Sequence, residues 1–255
     1  VNNGITPLDD IYFWIPTVQP CCAGSTVMIH KLGISNFLAQ FAVGTINDVG
    51  LNIWGPFDNG NFATYRRIHR LMFHELSHAS HAISCGKNYW ENVVNGETSN
   101  IQATLSTTQS PYRDGTLPNS TAAGYIGLAE SWAEFLGNTI HNQYYNQIIN
   151  VEGAMPQLIP FESDNFFNGW IPTGLFVDLN DLQVDNQVSV NGGTVADNCN
   201  IPVNILFSAV TCSKNVDEFR DKLFTIWDYP AGESIPSDDP CSNHPCLCLF
   251  EAFGY

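Results

Sequence analysis

Phe73-His74-Glu75-Leu76-Ser77-His78-Ala79-Ser80-His81-Ala82-Ile83-Ser84-Cys85-Gly86 is the stretch on which the reading of this chain turns. It carries His-x-x-x-His at His74 and His78, with Glu75 beside the first histidine. On a helix, residues four apart share a face, with Cβ atoms about 5–6 Å apart. Two imidazoles so placed can converge on one Zn²⁺ at roughly 2.0–2.1 Å each. Glu75 then projects to the side where activated water would lie and can take its proton.

Helical phase supports this independently of the motif. From Thr64 to about Cys85, Ile68, Met72, Leu76, Ala79 and Ile83 form one apolar stripe, read as the core face. Arg67, Arg70, His74, His78 and His81 fall opposite, read as the face for chemistry. Gly86 sits where a left-handed cap would end the helix. The plainer alternative makes the histidines ordinary polar-face residues. Against it, three of the chain's seven histidines crowd into this one face.

A catalytic zinc site takes three protein ligands and keeps an open position. His81 is near, but it lies about 10.5 Å along the axis from His74, with His78 between them. It is read as a supporting or polar-face residue. The metzincin spacing HExxHxxGxxH is broken, with His81 where Gly belongs and Ser84 where the third His belongs. The better candidate is Glu130 in Gly127-Leu128-Ala129-Glu130-Ser131-Trp132-Ala133-Glu134, on a second helix predicted from about Ser120 to Gln147. Glu130 and Glu134 share a face with Ala123, Gly127, Gly137 and His141. Small residues there allow close packing on the zinc helix, so Glu130 could reach the metal while Glu134 accepts a hydrogen bond from a ligand histidine. The alternative is a solvated pair of glutamates.

With these two segments on the page, the chain resembles the gluzincin metallopeptidases, in which HExxH on one helix is completed by a Glu on a later one. Glu130-Ser131-Trp132-Ala133-Glu134 is similar to the E-x-x-A-E and E-x-x-A-D variants of several gluzincin branches, anthrax lethal-factor-like proteases among them. HELSHASH followed by ESWAE is also similar to secreted metallopeptidases of Bacteroidetes. The resemblance implies Glu130 as ligand, Glu134 as the acid orienting a ligand His, and Glu75 as catalytic base. It covers neither residues 1–60 nor 150–255. Such peptidases add a Tyr or His that stabilises the oxyanion. His141 and Tyr125 are candidates, and Tyr89, Tyr112, Tyr144 and Tyr145 remain open beside them.

Elsewhere the first sixty residues read as β-rich, with short runs at Ile11–Ile15, Thr26–His30 and Val49–Trp54 and a possible helix over Ser35–Ile46. Asn88 to Pro118 reads as a long loop. Leu182 to Val195 alternates around Asn191-Gly192-Gly193, a hairpin signal. Val216 to Trp227 reads as a short amphipathic helix. The predicted fold class is therefore α+β. A zincin-like core with a small N-terminal sheet, the HExxH helix and the glutamate helix would occupy residues 1–150. A disulfide-containing, β-rich accessory segment would fill 151–255, unless the two are one continuous domain.

Composition bounds the function. With 44% hydrophobic and 13% charged residues over 255, the chain is globular. A formal charge of −16, with nine Lys and Arg, repels phosphate backbones and anionic lipid, so neither nucleic acid nor membrane insertion is expected. No charged-then-apolar leader opens the chain, and Val1 reads as the start of a processed or trimmed protein. Eight cysteines, even in number and outside any CxxC pair, point to disulfides and an oxidising compartment. Cys199 with Cys212, which bracket an apolar strand-like run, is the preferred pair. A zinc reading of the tail Cys241-Ser242-Asn243-His244-Pro245-Cys246-Leu247-Cys248 matches no common structural pattern.

Together these residues predict a secreted, periplasmic or cell-surface zinc metallopeptidase, an endopeptidase acting on protein or peptide with one Zn²⁺. The rivals are a secreted zinc-containing binding protein without turnover and a zinc hydrolase of a non-peptide amide. Oligomeric state is not legible in the sequence.

Overall fold

The computed structural model describes residues 12–14, 26–27, 48–50, 65–104, 121–145, 174–180, 188–190, 193–195, 199–227 and 245–252. The histidine motif lies on α1 (Tyr65–Cys85), which stops at Gly86. That glycine has φ +77°, a left-handed conformation open to Gly without a Cβ penalty, and its N–H donates to the Ala82 carbonyl at 2.7 Å. Beyond this one-residue joint runs α2 (Lys87–Thr104), and then α3 (Thr121–Tyr145), which carries both glutamates. α3 runs antiparallel to α1: Tyr145 meets His69, Gly137 meets His74, and Glu130 meets His78.

Among the described residues four further helices follow: α4 (Leu175–Asn180), α5 (Val203–Val210), α6 (Val216–Ile226) and α7 (Pro245–Ala252). The strands are short. β1 (Tyr12–Trp14), β3 (Asp48–Gly50) and β2 (Thr26–Val27) form one small sheet in that order, β1 parallel and β2 antiparallel to β3. β2 and β3 lie alongside α1. β4 (Val188–Val190) and β5 (Gly193–Val195) pair as a hairpin across Asn191-Gly192, as the turn signal predicts.

Two apolar clusters hold the described body together, and α3 is the wall between them. On one side Trp132, Phe135 and Leu136 pack with Phe176 and Leu179 of α4, Leu206 and Phe207 of α5, Phe219 and Leu223 of α6, and Phe250 of α7. Trp132 is fully buried and stacks on Phe207, ring centroids 5.4 Å apart. On the other side Ala82, Tyr89, Trp90, Val93, Ala123, Ile126 and Ala129 join α1, α2 and α3. A Cβ on Gly96 would come 2.6 Å from Ala122 Cβ, so the absence of a side chain there sets how closely α2 approaches α3.

The α+β fold class is therefore corrected. The described residues are overwhelmingly helical, and their strands are only two or three residues long. Among the described residues the C-terminal segment is not β-rich: apart from the β4–β5 pair they form α4 to α7, and their core is shared with α3 across the boundary placed at residue 150. Val203–Val210 reads as a strand by its branched and aromatic residues, yet it is helical. Its buried residues Leu206, Phe207 and Val210 and its exposed Asn204 and Ser208 follow a period of 3.6.

Asn88–Pro118 is not a loop throughout, since α2 runs to Thr104. Gly96 and a polar outer face dilute its apolar period. Residues 105–118 lie outside the described residues, as does the helix predicted over Ser35–Ile46. Cys199 pairs with Cys246, not Cys212, with Cα atoms 5.6 Å apart. Cys248 is disulfide-bonded as well, which removes Cys246 and Cys248 from any zinc site, while Cys241 and His244 lie outside the described residues. No helix among the described residues is long and apolar enough to cross a membrane.

Candidate metal centre

Facing helices α1 and α3 place four buried polar side chains together: His74, Glu75, His78 and Glu130. His74 Nε2 and His78 Nε2 stand 3.1 Å apart. Glu130 Oε2 is 3.5 Å from His74 Nε2, and Glu130 Oε1 is 3.5 Å from His78 Nε2. Ligands about 2.1 Å from a tetrahedral ion lie about 3.4 Å from one another. The histidine nitrogens, and one Glu130 oxygen facing each of them, lie near that spacing, and one donor atom from each residue falls within 4.8 Å of the others, so His74, His78 and Glu130 could hold a metal ion.

The back of His74 is held too. Its Nδ1 lies 3.2 Å from Glu134 Oε2. The other carboxylate oxygen, Oε1, accepts from Asn138 Nδ2 at 2.8 Å and lies 3.4 Å from Arg70 Nη1. Asn138 also donates to the Glu134 carbonyl at 2.7 Å, which locks the amide along α3. His78 is oriented by packing instead, edge-on to Trp90 with ring centroids 5.7 Å apart.

The electrostatics follow from burying acids beside histidines. Burial alone would raise Glu130 and Glu134, but it is outweighed. The charge of His78 and hydrogen bonds to His74 and His78 hold Glu130 well below the carboxylate range. The His74 hydrogen bond and the Arg70 charge bring Glu134 to about 2. Burial works against the charged form of His74, yet hydrogen bonds to Glu130 and Glu134 raise it well above its ordinary value. Burial raises Glu75, with Glu130 adding to the effect and His74 and His78 opposing it.

The face assignment of α1 needs correcting. The histidine face is the buried one, because it meets the glutamate face of α3. Of the apolar stripe, Ala79 is buried, while Met72, Leu76 and Ile83 are only half-buried. The small residues of α3 act as expected at Gly137, where a Cβ would lie 2.9 Å from the His74 amide nitrogen.

His81 is no polar-face residue. It is fully buried, edge-on to Tyr89 and Trp90 at 5.2 and 5.8 Å, and neither ring nitrogen has a hydrogen bond of good geometry. Burial first, then the charge of His78, lower its pKa to about 3, and only the Val210 backbone pulls upward. Tyr125 packs against Tyr89, 5.0 Å between rings. His141 is about three turns, roughly 16 Å, from Glu130 along α3, with its ring 4.7 Å from that of Tyr145. Tyr89 donates to the Ser213 carbonyl at 2.7 Å. Arg70, on the face read as the one for chemistry, is a partner of Glu134, and Asn138 escaped the sequence reading, although it continues the Glu130–Glu134 stripe at the next i+4 position.

Comparison with protein-family models, with curated proteins and with solved structures finds no match to this chain.

Proposed function

We propose that this protein is a zinc-dependent metallopeptidase in which Glu75 serves as general base. The observation that carries the reading is the convergence of His74 Nε2, His78 Nε2 and Glu130, with Glu75 buried beside them. Two imidazoles and one carboxylate suit zinc. Calcium and magnesium prefer all-oxygen sites. Three protein ligands leave a fourth position open, the hallmark of a catalytic site.

When bound, zinc supplies Lewis acidity that makes water a nucleophile near neutral pH. The chain's own residues do the rest. Glu134 keeps the His74 proton on Nδ1 and so presents the Nε2 lone pair to the centre. Arg70 and Asn138 hold Glu134 in that pose. Glu75, whose proton affinity is raised by burial, can accept a proton and return it to the departing amine. A peptide as substrate follows from the resemblance of HELSH and ESWAE to the gluzincin motifs. An oxidising, extracytoplasmic location rests on the disulfide-bonded cysteines.

A second reading, a zinc-containing binding protein without turnover, is favoured by one observation: neither Tyr125 nor His141 is brought into the triangle of ligands. Incubation of zinc-loaded protein with an unbiased peptide library separates the two. The peptidase reading expects cleavage by the wild type. Glu75→Gln should retain the metal and lose at least about 10²-fold in rate. Intact peptides with wild-type protein would favour the binding protein, and full activity in Glu75→Gln would remove Glu75 from its role.

A further inference from the structure

Cys85 closes α1, and Cys212 occupies the turn between α5 and α6, 127 residues later. The amide nitrogen of Cys212 lies 2.6 Å from Cys85 Sγ. Cys212 Sγ in turn lies 3.8 Å from the Ser84 carbonyl oxygen, one residue before Cys85. Both are thiols in this structure, Cys85 Sγ against the Cys212 backbone and Cys212 Sγ beside the carbonyl that precedes Cys85.

The backbone at Cys212 sharpens the point. Its φ is +60°, at the position just past a helix C-terminus where Gly or Asn is the usual occupant. Any Cβ is disfavoured there, because it crowds the following carbonyl oxygen. A cysteine in this place is accounted for by what its side chain does. The surrounding junction is knit by other long-range contacts: Tyr89 donates to the Ser213 carbonyl, and a Cβ on Gly124 would strike the Lys214 carbonyl oxygen at 2.5 Å. The two cysteines are thus held together by packing that does not depend on them.

We propose that Cys85 and Cys212 are the two halves of a disulfide, which ties the end of the histidine helix to the α5–α6 turn. Formation is a two-electron oxidation. A small-molecule disulfide such as oxidised glutathione accepts the electrons: one cysteine thiolate displaces one glutathione thiol, and the second displaces the other. Two thiol protons are lost, and one Sγ–Sγ bond is made. Burial and the neighbouring Cys212 push the Cys85 thiol far up, which keeps it protonated and slow to exchange once the fold is complete.

The test is peptide mapping of full-length protein refolded in a glutathione redox buffer, alkylated before digestion without reductant. A cross-linked peptide pair holding Cys85 and Cys212 is expected, with neither residue alkylated. Cys85→Ser and Cys212→Ser, singly and together, should lower the melting temperature by the same amount, on the order of 10 °C for so long a loop. Each single variant should also gain one thiol that maleimide labels once the protein is unfolded in denaturant. Alkylation of both residues in the oxidised wild type would overturn the proposal, as would labelling that appears only after a chelator. If the variants fail to fold, the wild-type map still decides.

Discussion

Gly137 of α3 lies directly against the backbone of His74. A Cβ there would sit 2.9 Å from the His74 nitrogen and 3.0 Å from its Cα. Backbone cannot swing aside as the end of a side chain can, so the missing side chain sets the distance at which Glu130 meets the histidines. Gly137→Ala should push the helices apart, cost about 1–3 kcal/mol of stability and weaken zinc binding by about tenfold or more. Calorimetry and zinc titration would check it. Wild-type values for both would mean that this contact does not set the site.

The two glutamates should differ in kind. Glu130→Ala removes a ligand, and zinc binding should fall by several orders of magnitude. Glu134→Gln leaves the ligands but loosens His74, and about 10–100-fold weaker binding is expected. Arg70→Met should follow Glu134→Gln in direction with a smaller effect, since Arg70 is partly exposed. Competition titration against a chelator ranks the three. A larger loss in Glu134→Gln than in Glu130→Ala would reverse the assignment.

Acid should destabilise the metal-free protein in two stages. His81 is neutral when folded, with a pKa near 3 against 6.5 unfolded. The unfolded chain binds the extra proton in that window, so stability falls as pH drops from about 6.5 towards 3. Glu134, near 2 when folded against 4.5, contributes stability that is present above 4.5 and lost as pH falls towards 2. His74 acts in the opposite sense: its share is full below 6.5 and lost as pH rises through its higher folded value. Melting temperatures of chelator-treated protein across these windows check the slopes. Glu75, raised by burial, opposes this slope just above pH 4.5, so the check is the comparison with His81→Leu: a profile between about pH 6.5 and 4.5 that the substitution leaves unchanged would contradict the His81 assignment.

Replacing His81 tests whether it serves the metal. Its buried ring lacks a good hydrogen bond, and an apolar side chain of similar bulk removes that penalty. His81→Leu should raise stability by about 1–2 kcal/mol, flatten the upper acid slope and leave zinc affinity unchanged. A marked loss of zinc affinity would instead make it a supporting residue of the centre.

How much of this was legible in the residues depends on the scale of the interaction. α1, its stop at Gly86, α3 and the Asn191-Gly192 turn are written in local spacing, and the sequence reading finds them. So is the Glu130–Glu134 pair, because ligands four apart on one helix need a partner helix lined with small residues. What local pattern hides is long-range. The histidine face of α1 looks solvent-facing until the acids of α3 cover it. The apolar run Val203–Val210 looks like a strand until Phe207 meets Trp132. The choice of Cys246 over Cys212 as partner of Cys199 is likewise set by how α7 packs, which spacing does not encode. Asn138 was readable as the next step of the glutamate stripe, but an Asn carries no motif of its own.

The central claim is that His74, His78 and Glu130 hold one zinc ion. Metal analysis of protein freed of metal by chelator, then equilibrated with buffered zinc and desalted, tests it most directly. The account expects about one equivalent of zinc in the wild type and close to none in His74→Ala or His78→Ala. Wild-type protein that emerges folded but without zinc, or variants that keep the full equivalent, would contradict it.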